Sequence, residues 1–326
     1  MTHEKPDAHR FRQFLDQLRR EIWLSPVQRS WSYFLFHQSN IDNAVSILKQ
    51  GELLSRASAI SRHVLQTDSA SPAIIDRTPN QWKHFARLYF RPRNPTFYNV
   101  EGFRHANEYP YDAQCPLPVM FIFNLEKVIC HRGARFSEGN LAIARTVYST
   151  FEEFRKLPFS HIYHEGPFSK EDRDRIVFHR HAEVIFPDAL PLEGFLEKVI
   201  CRSAAEHDTL IFLLGQEGIS QWQRFVGISK NTNLFYKQWL YVERVLLSSN
   251  SAQVWLSKPP QGLPIRVEIH AQEALFYAHV PLSFSKSAFQ VEFPYAPSYS
   301  IRIFIDDKQA YINSFTKPEE DIDLPF

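Results

Sequence analysis

Glu183 stands in the stretch HRHAEVIFP, residues 179–187, where Ala182, Val184 and Phe186 alternate with Glu183 and Ile185 as the two faces of a strand alternate. A carboxylate in so apolar a run is costly to bury unless it is paired or hydrogen-bonded. Glu183 therefore sits either at a wet strand end or edge, or facing a cleft in which it does chemistry. Histidines surround it. His179 and His181 form an HxH, and His161 and His164 bracket HIYH. Either pair could begin a metal site, and an HxH on a strand would put both rings on one face. No cysteine or second carboxylate is spaced to complete a tetrahedral set, so no metal is expected.

A second candidate is RLYFRPRNPTFY, in which Arg87, Arg91 and Arg93 surround a short strand expected at 88–90. Pro92 and Pro95 stiffen the chain as it leaves that strand and so aim Arg93. A guanidinium held in one direction suits a diphosphate or a carboxylate, because its fork makes paired charge-assisted bonds. The alternative is a surface arginine cluster with no ligand. No GxGxxG, GxxxxGK[ST] or GxSxG occurs, so neither the common nucleotide loops nor a serine nucleophile is signalled. Cys115 precedes a proline and Cys130 precedes His131; both read as packing residues.

These residues must be held by a chain of 326 residues, long enough for two domains. A formal net charge of +1 gives no global field for a nucleic acid, so such a partner would need a local patch. The 28 Phe, 13 Tyr and 6 Trp supply a large aromatic core, and 10 Gly exclude a low-complexity chain. Three cysteines without CxxC spacing argue against a disulfide framework and fit a reducing cytoplasm. The charged start, MTHEKPDAHRFRQF, is not a signal peptide, and no apolar run is long enough to span a membrane.

The positioning elements follow from periodicity. Residues 8–22 predict an amphipathic helix through Phe11, Leu15, Leu18 and Ile22. A strand at 32–37 is expected to end at His37 and hand over to a helix capped by Ser39 or Asn40 and stopped by Gly51. Residues 52–84 read as a long irregular connection. Strands are expected at 119–125, 182–186 and 198–202. Helices are expected at 145–157, at 169–178 and from 204 to Gly215 or Gly218. Beyond about residue 230, AQVWLS, PIRVEIHA, LFYAHVPL, FQVEF and SIRIFI are short alternating runs between turns, the pattern of an all-β, sandwich-like domain. KPEEDIDLPF reads as an acidic tail. The expected organisation is an N-terminal helical extension (1–30), a central domain (31–230) and a C-terminal β domain (231–326).

In order, the strand with His37, the segment NxxxSILxxG (Asn43, Ser46, Ile47, Leu48, Gly51), LYFRPRNPT, GARFSEG and HAEVIFP resemble the DarT-type nucleic-acid ADP-ribosyltransferase toxins over about residues 31–203. Two family patterns carry the resemblance. YFxPRxPM is met by Tyr89-Phe90-Arg91-Pro92-Arg93-Asn94-Pro95-Thr96, and QAEFL by His181-Ala182-Glu183-Val184-Ile185. His181, Asn94 and Thr96 depart from the usual Gln, Ser and Met. The continuation NPTFYNVEG is closer to the guanine-modifying branch than to the thymine-modifying one.

The resemblance implies an α+β, ADP-ribosyltransferase-like mixed fold with split sheets, to which the C-terminal β domain is an addition. It implies NAD as co-substrate, with Glu183 and Arg93 catalytic and with His37, Gln38, Asn43, Tyr89 and Arg93 around NAD. Arg93 would bind the diphosphate or orient the base, and His37 would meet one of the two riboses. The acceptor would be a base of single-stranded DNA, guanine favoured, with RNA or protein as alternatives and a non-enzymatic binding module as the competing class. Contacts to the strand are expected from Arg91, His131, Arg132, Arg135 and His181, and from the 52–84 connection. A toxin of this kind, in a toxin–antitoxin or phage-defence system, implies a cognate antitoxin that reverses the mark or masks the site.

Overall fold

The computed structural model describes residues 3–67, 72–111, 113–144, 146–230 and 233–318. Its centre is a seven-stranded mixed sheet. Edge to edge the strands are Arg135–Phe136, Glu183–Pro187, Phe85–Tyr89, Phe34–Asn40, Pro118–Asn124, Leu196–Cys201 and Val226–Ile228. Every neighbouring pair is antiparallel except the last, which is parallel. The interior strand Pro118–Asn124 is buried along PVMFIF, as a strand covered on both faces must be. A separate two-stranded sheet pairs Glu52–Leu54 with Ala189–Pro191. The fold is thus a mixed α/β architecture with several separate sheets.

Past residue 241 the chain is all β. Val242–Leu247, Ser251–Leu256 and Ala288–Glu292 form one antiparallel sheet. Ala274–Val280, Ile265–Ala271, Ser298–Ile305 and Lys308–Thr316 form another, in that order. Ile265, Val267 and Ile269 alternate inward with Ile301, Ile303 and Ile305, as a half-buried sheet requires. Tyr299 ties the two sheets together by donating its hydroxyl to the Ser248 carbonyl at 2.8 Å. The helix Ala204–Trp222 packs on both Lys308–Thr316 and the central sheet. The N-terminal helix Ala8–Leu18 lays Phe11 and Leu15, both fully buried, on the same continuous core.

Several expected elements differ. The first helix ends at Leu18, and Ile22 is 97% exposed because the chain turns there to enter Pro26–Trp31, a helix with its own Ser25 capping box. His37 lies in the middle of Phe34–Asn40, and the next helix, Ile41–Gln50, closes on Gly51 at φ 68°. The described part of the 52–84 connection is not irregular: it holds the Glu52–Leu54 strand, the helices Arg56–Ser61 and Pro72–Arg77, and the 3-10 turn Asn80–His84. Among the described residues of the expected 145–157 helix, only Phe151–Phe154 are helical. Tyr148 instead exchanges backbone hydrogen bonds with Phe136, which holds that part of the chain extended. The HxH sits at the end of the helix Arg173–His179 and in the turn after it, so it lacks the shared strand face on which a metal pair was considered. The helix expected to stop at Gly215 or Gly218 runs on to Trp222, with a break at Gly215 (φ 67°, ψ 178°). Most of the acidic tail, residues 319–326, lies outside the described residues.

Candidate active site

The face of Phe85–Tyr89 that carries Phe85, Arg87 and Tyr89 forms one wall of a cavity of about 310 Å³. His37 and Gln38 continue that wall, and Glu183 and Asn140 close its end. Asn43, Ser46 and Ile47 come from the helix Ile41–Gln50. The opposite wall is the folded 52–84 segment, through Leu54, Arg56, Thr78 and Trp82 among others. The volume lies within the range of small-molecule sites, at the lower end.

Glu183 is the first residue of its strand and pairs directly with Tyr89. Arg87, two residues back on the neighbouring strand, is its diagonal neighbour on the same face. Its Nη1 stands 3.3 Å from Glu183 Oε2. The carboxylate is 2% exposed and Arg87 25%. Oε1 accepts a long bond from the Leu141 N–H (3.5 Å). Oε2 has no hydrogen-bond partner among the described residues and is the one buried carboxylate oxygen there left so. Burial pushes the Glu183 carboxyl above the usual range, and Arg87 and the Leu141 amide pull the other way. The loop over it is fixed: the Ser137 N–H donates to the Glu183 carbonyl, and the Ser137 hydroxyl to the Gly139 carbonyl. Gly139 lies so close to the Phe178 ring that a methyl group would overlap it.

His37 lines the same cavity. Its Nδ1 lies 2.9 Å from the Arg87 carbonyl, which can only accept, so Nδ1 carries the proton. Desolvation lowers its pKa to about 4, so the ring is neutral near pH 7 and Nε2 is left as an acceptor. Tyr89, also lining, keeps its proton because burial and the Glu183 charge oppose ionisation. Asn43 faces the cavity but already holds its far wall. Its Oδ1 accepts from the Gln66 and Thr67 N–H groups (2.8 and 3.1 Å), and its Nδ2 donates to the Thr67 carbonyl. Val64, Leu65 and Thr67 thereby reach the site.

Arg93 is placed differently. It is not among the lining residues, and its Nη2 donates to both Glu165 oxygens at 2.9 and 2.7 Å. Arg91 is buried and shares Glu165 Oε1 at 2.9 Å. His181, beside them in sequence to Glu183, donates Nδ1 to the Val177 carbonyl, and desolvation lowers its pKa to about 4. His131 and Arg132 are fastened to the N-terminal segment. His131 stacks on His3, and Arg132 donates Nε to the Glu4 carbonyl. Arg135 is exposed at the sheet edge, with its guanidinium 5.4 Å from the Phe85 ring at the cavity wall. The cavity thus gathers Glu183, His37, Gln38, Asn43 and Tyr89, and leaves Arg91, Arg93, His131, Arg132, Arg135 and His181 outside its lining.

From sequence Arg87 is one member of an arginine cluster with no tie to Glu183, and Asn140 is not singled out at all. Arg87 had a signal: it shares the alternation of Phe85 and Tyr89, but the antiparallel register that sets it beside Glu183 is not written in either strand alone. Asn140 had none, since its place depends on how residues 137–141 fold back over Glu183.

One family model, described as ssDNA thymidine ADP-ribosyltransferase, DarT, matches residues 36–233. Among solved structures, Thermus sp. 2.9 DarT in complex with ADP-ribosylated ssDNA is 16% identical, with a TM-score of 0.47, over 63% of this chain and 96% of that one. The same protein in complex with carba-NAD+ is 17% identical (TM-score 0.46, 63% and 98% covered). Its NAD+ complex is 16% identical, with the same TM-score and coverage. No curated protein matches the chain.

Proposed function

This chain belongs to the DarT family, and on that premise we propose that it is an NAD-dependent transferase that places ADP-ribose on a base of single-stranded DNA. The observation that carries this reading is Glu183 Oε2, a buried acceptor that faces Arg87 at 3.3 Å but has no hydrogen-bond partner among the described residues, in a cavity it shares with a neutral histidine. Natural proteins seldom leave such an oxygen unsatisfied unless a ligand completes it. In the proposed reaction the glycosidic bond between nicotinamide and its ribose breaks, and nicotinamide leaves with the electron pair. Positive charge develops on the ribose. Glu183 stabilises it by accepting a ribose hydroxyl and by its own charge, on a strand rigid enough to keep it aimed. A base nitrogen or oxygen then bonds to the ribose carbon, and its proton passes to Glu183 or to a neighbouring group. His37 Nε2 accepts from a second hydroxyl of NAD. Arg87 keeps the carboxyl ionised enough to work against the burial that would protonate it.

Arg93, outside the lining, is assigned to the acceptor side. The finer proposal for the base is guanine. It differs from the thymidine of the family's description and rests on the continuation NPTFYNVEG, of which Thr96 lines the cavity. The transferase unit is proposed to span 31–230, and the β domain to be a specificity module, an antitoxin dock or a sensor in a toxin–antitoxin or phage-defence system. The test is mass spectrometry of DNA and RNA oligonucleotides incubated with the protein and NAD, beside Glu183→Gln. An ADP-ribose adduct that disappears in the variant is expected, with fragmentation naming the base. NAD consumption with neither nucleic acid modified would move the acceptor to protein or water. No NAD consumption would refute the reading.

A further inference from the structure

We propose that Arg91, Arg93 and Arg180, gathered around Glu165, form a docking site for a phosphodiester of the acceptor strand, with Glu165 occupying it until the strand arrives; this rests on the transferase reading above. The cluster comes from three separate segments. Arg91 and Arg93 follow the Phe85–Tyr89 strand, Glu165 follows the short helix Phe159–Ile162, and Arg180 precedes the Glu183–Pro187 strand. Because Tyr89 pairs with Glu183, the ends of these two strands bring the arginines to the edge of the cavity at which Glu183 stands.

Its charges do not balance. Two guanidinium groups share the one carboxylate of Glu165. Arg180 has no carboxylate partner among the described residues; its Nη2 meets His164 Nδ1 at 2.7 Å and the Gly166 carbonyl at 3.1 Å. Three arginines against one glutamate leave a local excess of two positive charges. Burial and mutual repulsion weaken the hold of Arg91 and Arg180 on their protons, as expected where cations outnumber anions. The Nε atoms of Arg91, Arg93 and Arg180 are all buried and without a hydrogen-bond partner among the described residues, and Arg91 as a whole is 3% exposed. Glu165 is 31% exposed and lies on a connecting segment, so its carboxylate can swing out to water while the arginines stay.

An oxyanion with more acceptor positions than a carboxylate satisfies such a set, and phosphate is one that guanidinium forks bind bidentately. Phosphate reaches this enzyme from two sources, the acceptor strand and the diphosphate of NAD. None of the four residues lines the cavity, which favours the strand. Phe168 at 4.9 Å from Arg180 and Tyr236 at 5.8 Å from Arg93 provide aromatic faces next to the charges, the pairing that suits a single strand.

The experiment measures binding of a fluorescein-labelled mixed-sequence DNA oligonucleotide by anisotropy, without NAD, for the full chain and for Arg180→Gln and Glu165→Gln. Arg180→Gln is expected to weaken binding several-fold and to flatten the salt dependence by about 0.7 in log–log slope, the loss of one phosphate contact on a single strand. Glu165→Gln is expected to tighten binding, since the competing carboxylate is gone. An oligonucleotide with neutral methylphosphonate linkages should show neither effect. Unchanged binding in both variants, no measurable binding by the parent protein, or effects that persist on the neutral strand would overturn the proposal. So would a loss of NAD affinity, measured by calorimetry, in place of DNA affinity. The transfer assay separates the two readings. A parent protein that modifies DNA while both variants bind normally sinks only the docking site. The predicted binding changes without any transfer sink only the transferase.

Discussion

Replacing Arg87 by Gln would leave Glu183 buried beside nothing positive. At 3.3 Å the pair is worth about 5 kcal/mol at an effective dielectric constant near 20. Water reaching Arg87, a quarter exposed, reduces that, and so does the carboxyl's freedom to take up a proton; we expect a net loss of about 2–3 kcal/mol at pH 7.5. The pH dependence follows from the direction of the Glu183 shift. Its folded-state pKa is raised, so the stability linked to it is fully present below the unfolded value, near 4, and is lost as pH rises through the folded one. Removing Arg87 raises the folded pKa further, so the Arg87→Gln penalty should shrink between pH 7.5 and about pH 5. In a Glu183→Gln background the same substitution should cost less than about 1 kcal/mol, because no buried charge remains to be orphaned. Urea denaturation of the four proteins of this cycle at both pH values is the assay. Equal penalties at the two pH values, or equal penalties in both backgrounds, would refute the idea that Arg87 acts through the charge of Glu183.

Asn43→Ala should release residues 64–67 from the cavity wall, raising the KM for NAD about tenfold while kcat changes less, which steady-state kinetics of NAD consumption would show. His37, with its pKa lowered to about 4, contributes stability above its unfolded value near 6.5 that is lost as pH falls towards 4. His37→Gln should remove up to about 3 kcal/mol of that pH dependence, read from denaturation midpoints across the window. Arg202 is fully buried between Glu101 and Glu206, and Glu101 in turn accepts from the Tyr236 and Lys237 N–H groups. Arg202→Met should therefore destabilise the protein by about 3–5 kcal/mol in urea. Glu206→Gln should cost less than that, because the amide oxygen can still accept from Arg202 and Glu101 still pairs with it.

The fold class was legible because it rests on periodicity. Alternation past residue 230 predicted the all-β region, and the apolar run Val119–Leu125 predicted a strand. Gly51 marked a helix end because only a residue free to take positive φ closes that turn easily. Glu183 announced itself as a charge in an apolar strand, and the motif that carried the family resemblance lay around it. Elements whose form depends on distant partners were not legible. Tyr148 is extended because Phe136 pairs with it, and the Ala189–Pro191 strand and Asn43 hold Glu52–Leu54 and Gln66–Thr67 in place.

The same division runs through the site. Residue type and strand alternation, both local, singled out Glu183, and the family resemblance added His37 and Tyr89. Which guanidinium meets Glu183 was decided only by tertiary structure. Arg87 and Arg93 are equally charged and six positions apart, but antiparallel register turns Arg87 onto the face of Glu183, whereas the chain beyond the strand carries Arg93 to Glu165. Charge is a property of the residue. The partner that neutralises it, and hence what remains free for a ligand, is a property of the packing.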